Sequence, residues 1–295
     1  MKFGVHAGLW MAKWTDEIKP ILKIVSDIGF DGVEISLLGM DQYKAKSLNK
    51  LIKDFKLEVT CSDGLSISAD ITSTDKDVVA KGEEHLRWGI ETASLLGSHY
   101  LAGVIYAPWG VFDPKNKKNR FDRSAFALSK LDKILIQNDV NLGIEAINRF
   151  ETDLINTADE AILLAKASKS QNIGVLLDTF HLNIEEKDIK SAIIKAGNNL
   201  KHFHISENDR GVPGSGHIPW NEVKAGLKSI NYNNWIVAEM FVSSGNPASS
   251  DLNIWRDIEQ NQTKAAEEAL NLCERVSNER KILYFVKGTF YKFRK

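Results

Sequence analysis

The sequence predicts an α/β protein folded as one (β/α)8 barrel. Eight short β-rich runs alternate with longer helical patterns, and 295 residues suit a single barrel of eight such units. The first run leads into "HAGLWMAKW", which has no GxGxxG, whereas an open doubly wound sheet more often carries that phosphate fingerprint there.

Strands are expected at 2–7 (KFGVHA), 31–36 (DGVEIS), 57–62 (LEVTCS), 99–104 (HYLAGV), 141–146 (NLGIEA), 173–178 (IGVLLD), 200–205 (LKHFHI) and 235–240 (WIVAEM). Between them lie helical patterns such as "TDEIKPILKIVSDIG" and "FDRSAFALSKLDKILIQN". "NTADEAILLAKASK" opens with Asn156 or Thr157 as cap and acids in its first turn. The last helical region is expected to run from "SDLNIWRDI" through "AAEEALNLCERV". The longer loops, 63–75, 105–120 and 206–219, all follow strands, which puts them on the catalytic face of a barrel. A single catalytic domain is therefore expected over 1–275. The segment 276–295 is set apart as a tail of unassigned role, because "ERKILYFVKGTFYKFRK" turns basic and aromatic.

Composition narrows the setting. Net charge is −1, which argues against a nucleic-acid partner, and no apolar run approaches the ~20 residues of a membrane span. Cys61 and Cys273 are too few for a disulfide framework or a CxxC metal site. The N-terminus lacks the apolar core of a signal peptide, so a cytoplasmic setting is expected.

The strand ends carry the chemistry. Run five ends at Glu145, run six at Asp178, run seven at His204 and run eight at Glu239. Alternation along each strand places these acids on the same face as Gly143, Gly174 and Val237, toward the barrel axis, with His202 sharing the face of His204. A single acid at a strand end is more often a helix cap. Three acids and an imidazole converging on one mouth repel strongly unless a cation holds them, so a metal is the economical reading. Three oxygens and a nitrogen favour Mn2+ or Mg2+, with Co2+ possible, over zinc.

The segments "EAINRFE" (145–151), "LLDTFHLNIEE" (176–186), "HFHISENDR" (202–210), "VPGSGHIPW" (212–220) and "AEMF" (238–241) resemble the ketose 3-epimerases. These are the D-tagatose/D-psicose (allulose) and L-ribulose 3-epimerases of the xylose-isomerase-like barrel superfamily. The resemblance covers about residues 1–275 and is most specific in "NRFE" combined with "DTFHLNIEE". It implies a metal held by Glu145, Asp178, His204 and Glu239, with Glu145 and Glu239 as the acid/base pair. It also implies that Glu151, His181 and Arg210 bind substrate oxygens, with Trp109, Phe241, Trp14 and His6 around the pocket. The implied reaction is epimerisation of a free ketose (D-tagatose, D-fructose or D-psicose, or L-ribulose) at C3. Two glutamates would remove and return the proton through a metal-stabilised enediolate, and the implied assembly is a homodimer or homotetramer.

The chain departs from that pattern at His6, where an aromatic Tyr or Phe is usual, in "SENDR", and at Met240, where a proline usually follows the acid. An aldose–ketose isomerase on the same barrel is the nearest alternative. A multi-zinc phosphodiesterase would need more histidines and a basic groove, and a non-catalytic sugar-binding barrel would not need both Glu145 and Glu239. His181 and Arg210 are expected on loops, Glu185 and Glu186 as surface acids opening the next helix, and Gly214 and Gly216 as flexible loop glycines.

Overall fold

The computed structural model describes residues 1–277 and, by their strand pairing, 281–286 and 289–294. Eight parallel strands close into a barrel in sequence order: β1 (Lys2–His6), β2 (Gly32–Ser36), β3 (Glu58–Leu65), β4 (Tyr100–Pro108), β5 (Asn141–Glu145), β6 (Ile173–Asp178), β7 (Leu200–Ile205) and β8 (Trp235–Ala238). Each barrel strand pairs with a neighbour on both sides, so the barrel itself has no open edge. Helices cover the outside, and Phe3, Val5, Ile35, Leu177, Phe203 and Ile236 are fully buried or nearly so in the core.

Local chemistry sets the element ends. Thr157 and Glu160 form a reciprocal capping box at the start of the helix Ala158–Ala167, so of the two expected caps Thr157 is the one used. Asp75 accepts from the backbone N–H groups of Asp77 and Val78, and the helix Lys76–Leu96 then stops at Gly97, whose φ is +88°. Gly103, at φ +125°, lets β4 approach β3 so closely that a Cβ there would stand 2.3 Å from the Asp63 carbonyl oxygen.

β3 and β4 run farther than expected. Asp63 and Gly64 read as a turn in isolation, but a register shift after Gly64 lets Leu65 pair with Pro108 and prolongs both strands. The last helical region is also corrected. Within "SDLNIWRDI" only the end of a short helix, Pro247–Asp251, is helical, and the long helix is Gln262–Ser277. The boundary expected at 275 thus falls inside that helix. Beyond it, β9 (Lys281–Val286) and β10 (Thr289–Arg294) pair antiparallel. The side chains that make this segment basic and aromatic lie outside the described residues. No helix among the described residues is long and apolar enough to cross a membrane.

Asp63, buried on β3, faces His85 on the helix Lys76–Leu96, with 2.9 Å between Oδ2 and Nε2. The carboxylate raises the His85 pKa against the opposing effect of burial. A raised histidine pKa stabilises the fold most below the unfolded value of ~6.5, and the contribution fades as pH climbs through the folded value. The melting temperature of the parent should therefore exceed that of His85→Gln most near pH ~6, with the gap closing toward pH ~8.5. A gap that widens over this range would reverse the sign and refute the pairing.

Candidate functional site at the C-terminal mouth of the barrel

β5 and β6 deliver Glu145 and Asp178 as their last residues, and β7 delivers His204 one residue before its end. Glu239 is the first residue past β8, pinned by its backbone N–H to the Ile205 carbonyl at 3.0 Å. One donor atom from each of Glu145, Asp178, His204 and Glu239 lies within 4.8 Å of all the others. The convergence expected from the strand ends is therefore present.

Arg210 enters this cluster from the β7–β8 loop. It is buried rather than solvated, with Nη1 donating to Asp178 Oδ2 at 2.6 Å and to Glu239 Oε2 at 2.8 Å. Its guanidinium stacks on Phe180, 4.1 Å from the ring centre. Its backbone sits at φ +68°, a conformation costly for any residue that carries a Cβ, held by Arg210 N–H to Glu207 O and Phe241 N–H to Arg210 O. Glu207, fully buried, accepts from the Gly214 and Ile218 backbone N–H groups and from the Trp220 indole. Gly216 is needed for close approach and not for flexibility, because a Cβ there would stand 2.2 Å from Asn208 Oδ1.

His181 does not sit on a loop. Asp178 caps the short helix Thr179–Glu185 by accepting from Phe180 N–H, and His181 lies in its first turns. Nδ1 of His181 accepts from the Asn148 backbone N–H at 3.1 Å and lies 3.0 Å from Asn148 Nδ2. The single proton of the neutral ring is thereby placed on Nε2, which lies 3.6 Å from Glu145 Oε1; Arg210 Nη2, 3.1 Å from Nε2, is itself a donor and makes no hydrogen bond to that N–H. Burial, then the Arg210 charge, hold the His181 pKa well below the usual value, so the ring is a neutral donor. Glu185 and Glu186 are not surface acids opening the next helix. Glu185 receives Arg149, Glu186 accepts from the Ala158 N–H, and the next helix is capped by Asp188.

Glu151 accepts from the Trp109 indole at 2.9 Å and from Asn148 at 2.7 Å, so Trp109, Glu151, Asn148 and His181 form one hydrogen-bonded chain. On the opposite wall His6, Trp14 and Phe241 meet edge to face, with ring centres 5.6 to 6.3 Å apart. His6 is polar in its contacts: Nδ1 accepts from the Gly8 N–H and Nε2 meets Ser62 Oγ at 3.1 Å. Trp14 is tied to Asp251 through its indole N–H. Every residue expected at the site is thus gathered around one mouth.

The charges are uneven. Burial, then the neighbouring Glu239, push the Glu145 pKa well up, and burial pushes Asp178 up to about 6 against the pull of Arg210. Burial would also raise Glu239, but His204 and then Arg210 outweigh it and hold that carboxylate below its usual range. The donor set fits a divalent cation: three carboxylates need positive charge, and the buried His204 Nδ1 has no hydrogen-bond partner.

Three residues escaped the sequence reading. Glu34 on β2 and Thr60 on β3 pair in register and are buried beside His202 and His204. Asn148 sets the His181 tautomer. The Glu34 signal was present, since a lone acid lies in "GVEIS" at the parity of Gly32. Asn148 stands in the quoted "NRFE", but its part as partner of His181 could not be read there, because the contact depends on the β5–β6 juxtaposition.

A family model described as "Xylose isomerase-like TIM barrel" matches residues 22–278. The D-psicose 3-epimerase of Enterocloster bolteae is 34% identical over 94% of this chain and 96% of its own. The L-ribulose 3-epimerase of Methylomonas sp. is 32% identical over 93% and 97%. The structure of D-psicose 3-epimerase with D-tagatose from Clostridium cellulolyticum H10 superposes with TM-score 0.88 at 32% identity, covering 94% of this chain and 99% of that one. Fold, mouth and sequence agree, and the chain belongs to the ketose 3-epimerase family of the xylose-isomerase-like barrels.

Proposed function

We propose that this protein epimerises free ketoses at C3 in a metal-dependent reaction, with Glu145 and Glu239 as the acid/base pair. The observation that carries the reading is the convergence of Glu145, Asp178, His204 and Glu239 in a member of this family. Those four residues would hold the ion, Mn2+ for preference and otherwise Mg2+ or Co2+. A bound divalent ion supplies Lewis-acid polarisation of the substrate oxygens next to the carbon that reacts.

Inverting C3 requires removal of its proton on one face and delivery on the other, so two groups must each work as acid or base. Glu145 and Glu239 come from β5 and β8, separated by two strands around the barrel, and approach the mouth from different directions. Without an ion, burial and the charge of Glu239 raise the Glu145 pKa while His204 and Arg210 lower that of Glu239, so the two carboxyls stand in different environments. His181 donates from Nε2 and Arg210 donates its guanidinium N–H groups to substrate oxygens, and Glu151 accepts from a hydroxyl while tied to Trp109. Trp14, Phe241 and Trp109 wall the pocket. His6, with Ser62 behind it, makes the far wall polar where the family usually has an aromatic residue, so the preference among D-tagatose, D-fructose, D-psicose and L-ribulose is set there. The family resemblance also supports a homodimer or homotetramer.

Chelator-treated protein is expected to lose both activity and several degrees of melting temperature, and Mn2+ or Co2+ should restore both. Full turnover in rigorously metal-free protein would sink the metal reading. Glu145→Gln and Glu239→Gln should each lower kcat by ~100-fold or more at equal metal content, measured on the same samples. Near-parental turnover in either metal-loaded variant contradicts the pair. In D2O, a ketose should take up deuterium at C3 as its C3 epimer appears. Label confined to C1 with accumulation of an aldose would instead make the enzyme an aldose–ketose isomerase.

A further inference from the structure

Glu34 lies below the mouth, on β2, and its side chain is fully buried. Oε2 accepts from Thr60 Oγ1 at 2.7 Å and meets His202 Nε2 at 2.6 Å. Oε1 stands 2.7 Å from His204 Nε2, a close ion-pair contact without hydrogen-bond alignment. The other ring nitrogen of His204, Nδ1, faces Glu239 Oε2 at 3.5 Å and has no hydrogen-bond partner. One imidazole therefore spans two layers of the barrel, with Glu34 at one nitrogen and the mouth carboxylates at the other.

We propose that Glu34 is a positioning residue, which holds His204 with its proton on Nε2 and its Nδ1 lone pair turned toward Glu145, Asp178 and Glu239. The proposal rests on the reading of the mouth as a metal centre. A histidine ligand is oriented by what its second nitrogen touches, and a carboxylate there also makes the ring a better donor. The barrel is built to keep Glu34 in place: β-ladder register sets it between His6 and Thr60, and Thr60 and His202 both engage Oε2. That leaves Oε1 for His204.

A competing use of the same residues is a second cation site, because donor atoms of Glu34, His202 and His204 also lie within 4.8 Å of one another. The 2.6 Å separation of Glu34 Oε2 and His202 Nε2 argues against it. That is a proton-sharing distance, shorter than the spacing of two ligands on one ion. A purely structural role explains the contacts less well, since a buried acid among histidines is a costly way to fill space.

The test is metal affinity. Metal-free parent and Glu34→Gln, both checked for folding, are titrated with Co2+ by visible absorption and with Mn2+ by calorimetry. The dissociation constant of the variant should rise about 10- to 100-fold. An unchanged constant in the folded variant overturns the proposal, including the case in which only the melting temperature of the metal-free protein falls, as a merely structural residue would require. Should Glu34→Gln not fold, the parent decides the matter. Nitrogen-15 NMR of the Mg2+-loaded protein should find the His204 ring proton on Nε2, and a proton on Nδ1 overturns the assignment. A parent that binds neither Mn2+ nor Co2+ refutes the metal-centre reading itself, and this inference with it.

Discussion

The structure depends on the burial of like charge. Glu34, Glu145, Asp178 and Glu239 are all buried or nearly so within one barrel end, with His204 and Arg210 set among them. Isolated carboxylates cannot persist there, because desolvation costs several kcal/mol for each ion. The fold tolerates them by pairing, by hydrogen bonds and by raising some pKa values so that a carboxyl keeps its proton. The same arrangement makes the mouth a strong receptor for a divalent cation. What strains the barrel is also what gives it chemistry.

The surrounding loops exist to hold the compensating groups. Arg210 reaches Asp178 and Glu239 only because the β7–β8 loop bends through a positive φ at that residue. The bend persists because buried Glu207 ties the rest of the loop to itself, and because Thr179 and Ser206 exchange hydrogen bonds that join the ends of β6 and β7. Asp178 serves twice, facing the mouth with one oxygen and capping the helix that carries His181 with the other. Site and scaffold share side chains, so a change in the loop is felt at the charged centre without touching it.

The two walls of the pocket are built differently. On one side Trp109, Glu151, Asn148 and His181 form a polar relay in which each donor is assigned. On the other, His6, Trp14 and Phe241 pack as a ring cluster with one polar edge at Ser62. The first wall adjoins the carboxylates through His181, whose Nε2 lies 3.6 Å from Glu145 Oε1. The second wall carries His6, one of the positions where the sequence departs from the pattern the resemblance implies, and the proposed substrate preference rests on it.

The sequence by itself determined the barrel, its eight strands and the convergence of Glu145, Asp178, His204 and Glu239, because period-two alternation and strand-end position are local properties that survive folding. The family likeness of "NRFE", "DTFHLNIEE" and "HFHISENDR" added Glu151, His181 and Arg210; His181 proved to be on a helix and not a loop, and Arg210 is on its expected loop, buried there with a left-handed backbone. Only the tertiary structure decided the tautomer of His181, the part played by Asn148, and the place of Glu34 beneath the mouth, from which the His204 tautomer is proposed. Each of these depends on contacts between separate segments, Asn148 and His181 being 33 residues apart and Glu34 and His202 being 168. Barrel closure creates those contacts, and no pattern within a single strand encodes them.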